Sequence, residues 1–120
     1  MNRLLLITAL VMTLPVGATD QANFPSTSGR AFNLYCLALD KPNPTPGDSL
    51  YLIMCLGYAD GLVDGSRVHA EPPYCLPEDV DRKGVVRTIL KYIEQHPTVI
   101  DERTVKIVRP ALIETFPCSK

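Results

Sequence analysis

With 120 residues, 21% of them charged, and a formal net charge of −1, the chain carries no basic block able to collect phosphates or anionic headgroups. That excludes nucleic acid and membrane surfaces as partners. A domain of about a hundred residues buries only roughly 60–65% of its unfolded surface, so it is marginal without help.

The N-terminus indicates the compartment. Met1-Asn2-Arg3 places one positive charge ahead of an apolar run from Leu4 to Val16, and Val16-Gly17-Ala18 offers small residues before Thr19. This order predicts a secretory signal peptide over residues 1–18, cleaved on export. A buried N-terminal helix explains neither the leading charge nor the Val-Gly-Ala step. The run is also shorter than the ~20 residues of a comfortable membrane span, and no second one follows. Cleavage removes one cation, Arg3, and no acid, so the mature part stays near neutral.

All four cysteines, Cys36, Cys55, Cys75 and Cys118, lie in the mature part. An even count in a short exported chain reads as a disulfide framework. Neither His69 nor His96 stands near a cysteine pair at finger-like spacing, so zinc is the weaker reading and no metal or cofactor is expected.

Residues 19–29 are polar, small and broken by Pro25 and Gly29, which predicts a flexible lead-in. A helical domain then fills residues 30–120. The first helix starts at about Arg30, with Phe32, Leu34, Tyr35, Cys36 and Leu39 as apolar positions, and stops before Pro42, Pro44 and Pro46. Asp48-Ser49 offers a cap for a second helix from Leu50 to about Ser66. Gly57, Gly61 and Gly65 share one stripe of that helix, and each costs about 1 kcal/mol against Ala. Either another helix approaches closely there or the helix frays after Gly61. His69–Pro77 is a second proline-rich connection. A third helix begins near Glu78-Asp79, carries Val86, Ile89, Leu90 and Ile93 on one face, and ends at His96-Pro97, where a His cation would offset the helix dipole. Asp101 can cap a fourth helix with Val105, Val108, Leu112 and Phe116 in one stripe, and Pro110 should kink or split it.

Stretches 98–100 and 104–108 have strand composition, but their charges recur at helical spacing. The expected class is all-α, a small four-helix domain stapled by two disulfides. Four cysteines allow three pairings. Successive helices joined by short loops tend to run antiparallel, which brings Cys36 near Cys55 and Cys75 near Cys118.

Catalytic groupings are sparse. Asp60 and Asp64 are four apart and can share a helix face, yet no third partner completes a site. They are the only support for a small exported enzyme or metal protein, and a solvated acidic face accounts for them. Oxidised cysteines leave no thiol nucleophile. The residues indicate a protein that is not an enzyme. With Arg67 and His69, the two aspartates form the densest polar cluster of the chain.

Four segments carry a resemblance. Residues 55–64, CLGYADGLVD, resemble the C-x-G-Y-x-x-G-x-x-D helix of the Rap/Tai immunity proteins of type VI secretion systems. Tyr74-Cys75-Leu76-Pro77 is similar to that family's aromatic-Cys-x-Pro step. Val85-Val86 through Tyr92-Ile93 to His96-Pro97 resembles its third helix and stop, and residues 111–118, ALIETFPC, resemble its close. The one departure is Pro110, directly before the Ala-Leu step. The resemblance implies a periplasmic, mostly helical, often dimeric protein that neutralises a toxic protein effector, in the best-known cases a peptidoglycan amidase, by covering its active cleft. It does not identify contact residues. The exposed 67–77 connection, with Arg67, His69, Glu71 and Tyr74 beside Asp60 and Asp64, is the candidate partner surface, because stiff prolines flank an aromatic. A competing reading is a periplasmic stress chaperone that binds unfolded clients, against which the near-neutral charge and only two histidines argue.

Overall fold

The computed structural model describes residues 24–119; the expected signal peptide lies outside them. Four α-helices follow one another, with a single turn of 3-10 helix before the last, and there is no strand among the described residues.

The first helix, α1, spans Gly29–Cys36. It starts where Ser28 turns extended and its hydroxyl accepts the Ala31 N–H, satisfying one of the orphan donors of the first turn. Cys36 is its last residue, so the helix ends short of Leu39, because the chain tightens into turns over 37–40 ahead of Pro42. The part of the lead-in from residue 24 onward rests on the body. Pro25 is buried, and its carbonyl accepts a hydrogen bond from the fully buried hydroxyl of Thr104.

The second helix, α2, spans Pro46–Val68. Its cap is Thr45, three residues earlier than the expected Asp48-Ser49. Thr45 Oγ1 accepts the Asp48 N–H (3.1 Å), and Asp48 Oδ2 accepts the Thr45 N–H (2.9 Å). This reciprocal box makes Pro46 the first helical residue, a position where proline loses nothing because its missing N–H has no partner to find. The helix continues through Gly57, Gly61 and Gly65 without fraying, and none of the other described helices approaches that stripe. A Cβ built on any of the three meets nothing within 4 Å.

The third helix, α3 (Arg82–Gln95), begins after the expected Glu78-Asp79, which form a turn. Asp81 is its cap, accepting the Gly84 N–H at 2.8 Å. After His96, Pro97–Val99 form the 3-10 turn. The last helix, α4, spans Thr104–Thr115. Asp101 does not cap it; the carboxylate instead makes a two-pronged ion pair with Arg30 at 2.8 and 3.0 Å, joining this turn to α1. Pro110 sits inside α4 without splitting it.

The helices pack in chain order, α1 on α2, α2 on α3 and α3 on α4, with α1 also reaching α3 and α4. Phe32, Ala59, Val85, Val86, Ile89, Ile107 and Leu112 are almost wholly buried at the centre. Each large one contributes about 1.5–3 kcal/mol by leaving water. Two apolar positions expected inside face out: Leu34 is 48% and Val105 59% exposed. On α1 the inward side belongs to Phe32, Tyr35 and Cys36. On α4 it belongs to Thr104, Ile107, Val108, Ala111 and Leu112, which leaves Val105 one step off the seam. Edge-to-face pairs Phe32–Tyr58 and Tyr35–Tyr51 lock α1 to α2.

Both expected disulfides are present. Cys36–Cys55 ties the end of α1 to α2 with a Cα separation of 5.4 Å, and Cys75–Cys118 ties the approach to α3 to the segment after α4 at 4.8 Å. The second is reinforced by the Cys75 N–H, which donates to the Phe116 carbonyl at 2.9 Å.

Candidate functional site

The long α2 helix brings part of the expected polar cluster together and disperses the rest. Asp60 turns toward α3 and pairs with Arg82 at 2.9 Å. Asp64 and Arg67 stand exposed on α2, and neither makes a side-chain ion pair among the described residues. His69 ends α2 in extended geometry, and the chain then doubles back through 70–75 toward the end of α4. The result is an open groove of about 510 Å³ between the C-terminal half of α2 and this connection. Gly61, Leu62, Gly65 and Ser66 line it from α2, His69, Glu71, Pro73 and Tyr74 line it from the connection, and Arg109 lines it from α4. The glycine stripe thus serves open space and not a neighbouring helix, because any side chain at 61 or 65 would project into it.

The exposure expected of Tyr74 is not found. Its side chain is 8% exposed and packs into the core beside Tyr58, so only an edge of it reaches the groove. Burial pushes the Tyr74 phenol above its ordinary value, and burial and then the nearby Tyr74 do the same for Tyr58. Glu71 and Arg109 make no ion pair among the described residues, which leaves one charge of each sign available at the groove.

A second concavity escaped the sequence reading. About 660 Å³ opens between the end of α1 and α3, lined by Asn33, Leu37, Lys41, Leu90, Lys91 and Glu94, with Arg87 held across it by Asp40 at 2.6 Å. Its only trace in the sequence is the spacing of Arg87, Lys91 and Glu94, which reads equally as a solvated helix face. His96 stacks on Tyr92 with ring centres 4.2 Å apart, its Nδ1 at 3.0 Å from the Tyr92 carbonyl.

Among the described residues no group of three or more His, Cys, Asp or Glu side chains is placed to hold a metal ion, and no helix is long and apolar enough to cross a membrane. All four cysteines are bridged.

A sequence model of the Rap1a immunity proteins matches residues 28–118, from the Ser28 cap of α1 to the second bridge. The chain belongs to the Rap1a immunity protein family. The match spans both disulfides and every helix, so the stapled four-helix body is the family's domain. No curated protein and no solved structure matches the chain. As a Rap1a immunity protein it has a protein for its partner, a secreted effector.

Proposed function

We propose that this Rap1a protein acts in the periplasm, after loss of residues 1–18, and neutralises a type VI secretion effector by covering its active cleft. The effector we assign is a peptidoglycan amidase. The observation that carries the reading is the joining of all four cysteines in two bridges within the family domain. Such bridges persist in an oxidising compartment, where the cell wall is also found. With every cysteine bridged no thiol nucleophile is free, and membership of an immunity family supports action by docking, so we assign it no enzymatic step.

We place effector contact at the α2 groove, with His69, Glu71 and the edge of Tyr74 on one wall and Arg109 at the end, and with Asp64 and Arg67 on the rim. A stable protein pair buries about 1,600 Å² in total, with a few central residues holding most of the affinity. A loop of the effector entering over Gly61 and Gly65 supplies that centre. Asp60, committed to Arg82, contributes only at the edge.

The test is co-expression of the exported chain with a candidate peptidoglycan amidase effector from the same genome, both directed to the periplasm. Protection from lysis is expected, together with recovery of a stable complex. Lysis that continues undiminished despite ample immunity protein defeats the assignment for that pair.

A further inference from the structure

The two disulfides occupy opposite environments. Cys36 and Cys55 are 1% and 0% exposed, packed among Phe32, Tyr35 and Ala59. Cys75 and Cys118 are both exposed, one in the connection before α3 and the other in the segment after α4, which has no regular structure. Thiol–disulfide exchange requires a thiolate to reach a sulfur along the bond axis, so access controls which bridge reacts in a folded protein. We propose that Cys75–Cys118 is a thiol–disulfide exchange site, opened by a dithiol reductant in the folded protein while Cys36–Cys55 stays closed.

The exchange balances simply. One thiolate of the dithiol bonds to a cysteine sulfur, the Cys75–Cys118 bond breaks, and the other cysteine leaves as a thiolate that takes up a proton. The reagent's second thiolate then attacks the mixed disulfide and frees the remaining cysteine. The bridge gains two electrons, and the dithiol becomes a disulfide.

Opening acts on the groove. Pro73 and Tyr74, which wall it, directly precede Cys75. Cys118 Sγ lies 3.7 Å from the Pro72 carbonyl, and the Cys75 N–H donates to Phe116. The bridge is thus the covalent tie of that wall to the end of α4. Once it is cut, a backbone hydrogen bond and the packing of Tyr74 remain, and the 72–75 wall gains freedom to leave the groove. This last step, and only this step, rests on the groove being the effector site.

The oxidised exported protein is incubated with dithiothreitol under native conditions, free thiols are trapped with N-ethylmaleimide, and labelled positions are mapped by mass spectrometry. A two-thiol species labelled at 75 and 118 should form on the order of tenfold or more faster than any label at 36 or 55, with the far-UV circular dichroism retained. Simultaneous labelling of all four positions, earlier labelling at 36 or 55, or loss of helical signal with the first pair overturns the proposal. A Cys75→Ser/Cys118→Ser variant should lose hydrogen-exchange protection around residues 74–76 and bind the effector on the order of tenfold or more weakly. Unchanged protection and affinity overturn the link to the groove. If the oxidised wild type binds no effector at all, the docking assignment falls, while the labelling ratio still decides the exchange site.

Discussion

Alanine at four helical glycines should give effects of opposite sign. Gly57, Gly61 and Gly65 lie in the interior of α2, none has a positive φ, and a Cβ at each enters open space. Each Gly→Ala change therefore gains helix propensity with no steric cost, about 0.5–1 kcal/mol. For a domain of this size the melting temperature rises by about 4–8 °C per kcal/mol. Gly29 is the reverse case. Its added Cβ would meet the Ile107 side chain and lie 2.9 Å from the backbone oxygen of Ile100, which is held in place by the Arg30 N–H at 2.7 Å. Because backbone must shift, Gly29→Ala should cost about 1–3 kcal/mol. Thermal and urea unfolding followed by circular dichroism read these signs. Effector binding by calorimetry then separates the α2 glycines. Gly61→Ala and Gly65→Ala put methyl groups on the groove floor and should weaken binding about tenfold, ~1.4 kcal/mol, while stabilising the free protein. Gly57→Ala, away from the groove, should stabilise without that loss. Destabilisation by Gly57→Ala or Gly61→Ala refutes the packing argument, and unchanged affinity for both groove variants refutes the docking surface.

Leu112→Ala, at a position with no solvent exposure, should destabilise by about 2–5 kcal/mol in urea unfolding, whereas Val105→Ala on the outer side of α4 should stay within about 0.5 kcal/mol. Thr45→Ala removes the α2 cap and should cost about 1 kcal/mol, with Thr45→Ser retaining most of the stability. Three carboxylates are held below their ordinary value: Asp40 chiefly by the Arg87 hydrogen bond, Asp48 chiefly by the Thr45 N–H, and Asp101 chiefly by the Arg30 hydrogen bond. Their stabilisation is fully present above the unfolded value near pH 4 and is lost as pH falls through the depressed folded values. The melting temperature should accordingly drop on acidification below about pH 4, and Asp48→Asn should flatten that drop; a profile equally steep in the variant refutes the assignment.

The disulfide pairing was legible because it follows from chain order: helices joined by short connections lie side by side, so consecutive cysteines meet. The helix stop at Pro97 was legible for a local reason, that proline cannot continue the hydrogen-bond ladder. The first helix began where expected, at Gly29, but the starts of α2 and α3 were displaced by about one turn. Thr45 and Asp81 outcompete Asp48 and Glu78 because the cap is chosen by where an extended residue can turn its side chain onto the next turn, and Pro46, read as a breaker, is suited to the first position. The glycine period showed that three residues share a face but not what lies opposite, since only the path of residues 69–75 decides that. Tyr74 looked exposed among prolines until Tyr58 and the core gave it a place. Asp101 had two suitable roles, cap or ion pair, and the distant Arg30 settled the matter. The cavity between α1 and α3 has no local signature beyond the ambiguous spacing of Arg87, Lys91 and Glu94, because its lining comes from two segments far apart in the chain.

The two bridges close loops that neither overlap nor nest: the first is finished at Cys55 before the second begins at Cys75. On the export route proposed above, the chain threads through a translocon N-terminus first and presents its sulfurs in the order in which they pair. An oxidase that joins each newly emerged cysteine to the one just before it builds the native pattern directly, with no need for an isomerase to shuffle bonds afterwards. The order of cysteines along the gene thereby doubles as an assembly sequence.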